Sequence, residues 1–273
     1  MRRTIAALMA LLGCGTKVDY GYHAIPVDRY SHETFDALLR KHVDGRGKVD
    51  YGAWKSNAED MKTLDEYVNL IANASPLSRK ELFPTKRDVL AYWINAYNAL
   101  VIRAVLQAWP IRSVTDVKSG SNFVRGQGFF ANRKYRVGGE WISLYDLENR
   151  HIRNEQDPRV HFALNCASGS CPPLPNTTFK SDELEKTLDA AARGFVNSEE
   201  NVFVSEKRTS VFLSKIFDWY EDDFLKALRR PGATILDYLL LYAEAPLAER
   251  LRTAKAAKYD IAYLEYDWTL NGK

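Results

Sequence analysis

The residues best suited to chemistry gather between positions 161 and 171. His161, Asn165, Cys166, Ser168 and Cys171 fall in one short stretch, and Ala167, Ser168, Gly169 and Ser170 separate the two thiols. A cysteine thiolate attacks acyl carbons when a base lies within ~3 Å to take its proton, and His161 is the nearest imidazole in the chain. The small residues between the thiols would let backbone N–H groups approach an oxyanion. That chemistry is hydrolysis or transfer at an amide or peptide bond. Attack would come from Cys166 or Cys171, proton shuttling from His161, and oxyanion stabilisation from N–H groups near residues 167–171.

The same residues support quieter readings. A Cys166–Cys171 disulfide would close a short loop, since four intervening residues permit a Cα separation of ~4.4–6.8 Å. Two inert core thiols are a third reading. Zinc is a fourth, but Cys-x4-Cys with scattered histidines is a weak ligand signature. No metal and no cofactor are expected.

The apolar run over residues 159–165 predicts a buried strand leading into this loop. At ~3.3 Å per residue the chain would advance ~16 Å from His161 to Cys166, and the two would face opposite ways. A dyad inside the strand is therefore excluded. A reversal in the loop would bring Cys171 back to His161, or Cys166 would use another histidine such as His151. His161 and Asn165 would share a strand face, so His161, Asn165, Cys166 and Cys171 are expected to line one concave pocket, with Ser168 as a binding residue.

Other polar residues carry weaker signals. Asn95 and Asn98 interrupt an apolar helical segment at the back of its main stripe, which fits exposed or interhelical amides. They would otherwise be buried amides that orient a site or hold a neighbouring backbone, and they are carried as candidate binding residues. Asp218, Asp222 and Asp223 beside Trp219, Tyr220 and Phe224 fit an amphipathic helix better than a ligand edge. Gly138-Gly139 is a hairpin turn, with no phosphate-loop fingerprint around it, and there is no Gly-x-Ser-x-Gly elbow or His-Glu-x-x-His helix.

The elements that must position these groups follow from periodicity and punctuation. Helices are expected from Ser31 onward, over 58–74, over 86–108 until Pro110, after Ser143, over 181–198, near 215–228 and over 234–257. Short strands are expected at 48–51, within the glycine- and aromatic-rich 119–142, at 202–204 and 211–213 as a hairpin, and at 259–266. Helices outnumber irregularly placed strands. The expected fold is α+β, a single helix-rich domain over residues 31–273 with a small, mainly antiparallel sheet.

Composition bounds the function. The chain has 273 residues, 46% hydrophobic and 27% charged, which excludes a disordered, collagen-like or polytopic membrane protein. Its 38 basic and 35 acidic residues leave a net charge of +3, and loss of Arg2 and Arg3 would leave +1. Nothing in that balance supports a nucleic-acid partner.

Those arginines begin a basic flank, followed by the apolar run Thr4–Leu12. Nine helical residues span only ~14 Å, too short for a ~30 Å hydrocarbon core, so a signal peptide is expected. Leu11-Leu12-Gly13-Cys14 resembles a bacterial lipobox, which implies cleavage after Gly13, lipidation of Cys14 and a tether over 14–30. The location implied is the bacterial cell envelope, facing the periplasm, with an outer-membrane lean because Gly15 and not Asp follows Cys14. The partners expected are a peptide or a small envelope ligand, with membrane contact through the lipid alone.

Several blocks together resemble the domain of unknown function 547 family, as a bacterial, exported, lipoprotein-like member. They are Ala91-Tyr92-Trp93-Ile94-Asn95-Ala96-Tyr97-Asn98-Ala99-Leu100, Gly128-Phe129-Phe130, Tyr135-Arg136-Val137-Gly138-Gly139 and Ser143 through Arg153. The most specific is Asp157-Pro158-Arg159-Val160-His161-Phe162-Ala163-Leu164-Asn165-Cys166 with its continuation to Pro173, and Leu213–Tyr220 and Tyr266–Trp268 resemble later blocks. The family label carries no activity. Many members have His at the position of Asn149, whereas this chain has His151 two residues on, which argues against a required catalytic histidine there. Two functions stay open: a thiol-dependent envelope hydrolase or transferase, or a non-catalytic binding lipoprotein that uses the aromatic-rich surface around 123–141 and a structural disulfide.

Overall fold

A computed structural model describes residues 15–120 and 123–273. The expected signal segment, lipobox and Cys14 lie outside the described residues. The fold is α+β, and its strands form two small mixed sheets instead of one mainly antiparallel sheet. The chain divides into two compact units. The first takes residues up to Glu155, Leu164–Leu184 and Trp268–Lys273, and the second takes Gln156–Ala163 and Glu185–Asp267.

The first unit is built around a long helix. Helices α1 (Glu33–His42), α2 (Tyr51–Ser56) and α3 (Ala58–Asn73) precede α4 (Lys86–Ala108). Thr85 starts α4 with a capping box: its hydroxyl accepts the Asp88 N–H at 3.1 Å, and the Asp88 carboxylate accepts the Thr85 N–H at 2.9 Å. Nearly every residue from Leu90 to Leu106 is buried, Trp93 included. The helix is long and apolar enough to cross a membrane, but the protein itself covers it. Phe35 of α1 stacks on Tyr67 of α3 with ring centroids 4.9 Å apart, locking these helices together.

Residues 48–51 differ in part from expectation: Val49 forms isolated β-bridges with Val43 and Gly272, but the segment does not continue as a strand. Asp50 caps α2 by accepting the Ala53 N–H at 2.9 Å, so Tyr51 opens a helix and not a strand. The cap outweighs the short β-favouring run.

The first sheet holds β1 (Thr16–Lys17), β2 (Arg133–Val137) and β3 (Glu140–Ser143). β1 runs parallel to β2, and β2 and β3 form the expected hairpin. Gly138 and Gly139 turn it with φ of +56° and +94°. A Cβ on Gly138 would meet the Ser75 hydroxyl at 2.0 Å, because the turn docks on the end of α3 through N–H bonds to the Ile71 and Ala72 carbonyls. Residues 15–30, expected as a tether, pack along this unit with Val18 and Val27 buried. After the Ser143 cap the chain enters a π-helical turn, Leu147–Ile152.

The second unit has its own core. It contains α5 (Leu184–Val196, counted from Glu185), the hairpin β4 (Val202–Ser205) and β5 (Ser210–Leu213), α6 (Lys215–Trp219), α7 (Glu221–Ala227), α8 (Ile235–Leu239), α9 (Ala245–Ala256) and β6 (Asp260–Tyr263). β4 and β5 are antiparallel, and β6 joins β5 in parallel. Phe162, Phe195, Phe217, Phe224 and Tyr238 pack at the centre.

The predicted strand over 159–165 is absent. Pro158–Phe162 form a 3₁₀ turn, with Pro158 at its first position and the Asp157 carboxylate accepting the Arg159 N–H at 3.0 Å. An Asp-Pro start signal outweighed the apolar run that followed it. The argument that His161 and Asn165 share a strand face goes with it.

Candidate functional site

Asn165 builds the cysteine loop. Its amide oxygen accepts the N–H of Ala167 at 2.9 Å, the geometry of an Asx turn. Its amide nitrogen donates to the Pro172 carbonyl at 2.8 Å. One side chain thus fastens the loop at the residue after each thiol. Ala167 takes the left-handed conformation, φ +59°, which costs an L-residue ~1–2 kcal/mol and is sustained by the bonds around it.

The long helix and the C-terminal segment hold Asn165 in turn. Asn98 of α4 accepts the Asn165 N–H at 2.9 Å. Asn271 donates its amide to the Asn165 amide oxygen at 3.0 Å and accepts the Tyr51 hydroxyl at 2.9 Å. Burial pushes the Tyr51 phenol far up, with the two cysteines adding to the shift, so it stays a neutral donor. One turn earlier on α4, Asn95 donates to the Phe179 carbonyl at 2.8 Å and accepts the Phe179 N–H at 3.0 Å. Asn95 and Asn98 are therefore buried amides that hold neighbouring backbone, and the exposed reading is corrected. The helical wheel put them behind the main stripe, but α4 is covered there as well.

The loop brings the two sulfurs together at 2.8 Å. The Cys166 N–H donates to the Cys171 sulfur at 2.8 Å, and the Cys166 thiol points to the same sulfur. Ser168 Oγ lies 3.0 Å from the Cys166 sulfur, and the Leu164 carbonyl is 3.6 Å from that of Cys171. Both cysteines are partly exposed, and no disulfide joins them in the structure.

The expected oxyanion donors are largely committed. The N–H of Ala167 goes to Asn165, that of Gly169 to the Thr269 carbonyl at 2.7 Å, and that of Cys171 to the Ser168 carbonyl at 3.1 Å. The loop spends them on its own shape.

His161 belongs to the second unit and the cysteines to the first. Its Nε2 lies 2.9 Å from an Asp223 carboxylate oxygen, and its ring stacks on Tyr220 at 3.7 Å. Asp223 thus orients an imidazole, beyond the surface role read from sequence. Asp218 pairs with Lys215 at 2.9 Å. His151 lies on the Trp93 ring with centroids 4.8 Å apart and makes no hydrogen bond among the described residues, so it is not a partner of either thiol. Of the aromatics in 123–141, Phe129 and Tyr135 are core residues, while Phe123 is exposed. Among the described residues, no group of three or more His, Cys, Asp or Glu could hold a metal.

Sequence reasoning missed Tyr51 and Asn271. Neither carries a local signal, because both meet the loop from far away in the chain.

Residues 83–196 match the model of a family described as "Protein of unknown function, DUF547". The match takes in α4, the first hairpin and the whole cysteine loop, and leaves out the later blocks at 213–220 and 266–268. No curated protein and no solved structure matches the chain.

Replacing Asn165 by Ala removes three side-chain hydrogen bonds and strands buried partners at ~1–3 kcal/mol each. Denaturant unfolding should show a loss of at least ~3 kcal/mol. A loss under ~1 kcal/mol would mean that the amide does not fasten the loop.

Proposed function

We propose that the cysteine loop is a thiol reaction centre in which Cys171 is the nucleophile and Cys166 its hydrogen-bond donor. The reaction class is hydrolysis or transfer at amide or peptide bonds. The Cys171 sulfur bonds to the carbonyl carbon, the C–N bond breaks, and the amine leaves with a proton. Water or an acceptor nucleophile then cleaves the thioester and returns the thiol. The observation that carries this reading is the convergence of the Cys166 N–H and the Cys166 thiol on one partly exposed sulfur.

A second reading rests on the same 2.8 Å separation. A disulfide at ~2.05 Å needs little further movement, and the committed N–H groups of Ala167, Gly169 and Cys171 suit a structural brace in a non-catalytic binding protein.

Alkylation of the unreduced protein with iodoacetamide, mapped by mass, separates the two. The thiol reading expects no disulfide between the cysteines, Cys171 reacting about tenfold faster than Cys166 near neutral pH, and a slower Cys171 in Cys166→Ala, which removes the side-chain donor. Failure of either cysteine to react before reduction would put the brace first. Two free thiols reacting equally slowly would overturn the assignment of Cys171.

We further propose that the protein is a cell-envelope lipoprotein held by acylated Cys14, supported by the lipobox-like Leu11–Cys14. Cys14→Ser should abolish lipid labelling and shift the protein from the membrane to the soluble fraction. Unchanged labelling and fractionation would contradict the anchor.

A further inference from the structure

A pocket of about 320 Å³ opens on the first unit, lined by none of the cysteine-loop residues. That volume is in the range of small-molecule sites. One wall is apolar, formed by Leu77, Phe83, Val89 and Trp93. Leu77 is 43% exposed, so the mouth of this wall is open to solvent. His151 stacks on Trp93, so the two rings make one aromatic surface. Burial holds the His151 imidazole below its ordinary value, leaving it neutral near pH 7, and neither ring nitrogen has a hydrogen-bond partner among the described residues.

The rim is cationic. Lys80 is exposed and forms no ion pair among the described residues. Arg150 touches the Asp146 carboxylate through Nε at 3.0 Å, and its side chain is 72% exposed, so its terminal nitrogens remain available. Glu155 is the one carboxylate among the lining residues. Arg150 and His151 come from the π-helical turn Leu147–Ile152, a local geometry that often marks functional positions.

We propose that this pocket binds a small amphipathic organic anion with an aromatic or short aliphatic body. The body lies against Leu77, Phe83, Val89 and the Trp93–His151 surface, and the acid group meets Lys80 and Arg150. The apolar wall supplies contact area and the paired cations select the charge.

Two fluorescent probes with the same aromatic body test this on the full protein. 1-Anilinonaphthalene-8-sulfonate carries the anionic group, and N-phenyl-1-naphthylamine lacks it. The sulfonate should bind saturably at one site per chain, about tenfold or more tighter than the neutral probe. Lys80→Glu should weaken the sulfonate about tenfold and leave the neutral probe within about twofold. Leu77→Glu, also at an exposed position, should weaken both. Circular dichroism melts checks that each variant is folded. The proposal is overturned if the sulfonate shows no saturable binding up to about 1 mM, if the neutral probe binds as tightly, or if folded Lys80→Glu leaves sulfonate binding unchanged.

Discussion

One amide side chain decides the shape of the cysteine loop. Asn165 binds the backbone at Ala167 on one side and at Pro172 on the other, and the two sulfurs meet because those points are held. The rest of the network holds Asn165: Asn98 from α4 takes its N–H, and Asn271, itself held by Tyr51, takes part of its oxygen. Buried amides are costly when unpaired, so each of these residues fixes the next. The left-handed Ala167 and the committed N–H groups are consequences of that fastening.

This explains why a long apolar helix carries asparagines. α4 is covered along nearly its whole length, and a purely aliphatic surface would pack without defining where the adjoining loops run. Asn95 and Asn98 sit three apart on one face and grip two separate segments, at Phe179 and at Asn165. The same helix lends Trp93 to the pocket under His151. It thus serves both as core and as the frame for the polar groups of the first unit.

Much of the fold was legible because its signals are local. The capped start of α4, the Gly138-Gly139 turn, the Ser143 cap and the 202–213 hairpin each depend on residues a few positions apart. The 159–165 segment was misread because its composition suits a strand, while Asp157-Pro158 fixes a 3₁₀ turn that composition does not show. Asn95 and Asn98 were misplaced because a helical wheel assumes an exposed side. The thiols, Asn165 and His161 stood out by residue type, but what surrounds them did not. Asn271 lies 106 residues from Asn165 in the chain, and the loop N–H groups thought available are consumed in part by the segment around Thr269.

Hydrogen exchange of the loop amides in the wild type and in Asn98→Ala tests most directly whether a chain of buried amides shapes the thiol site. The Asn165 amide loses its acceptor outright in the variant. The Ala167 amide, bonded to the Asn165 side chain, keeps its acceptor and feels the change only if Asn165 itself shifts. The network predicts that both amides exchange slowly in the wild type and about tenfold or more faster in the variant, while the amides in the middle of α4 keep their protection. An Ala167 amide that exchanges at the wild-type rate in Asn98→Ala would contradict it, because the loop would then hold its shape without the helix.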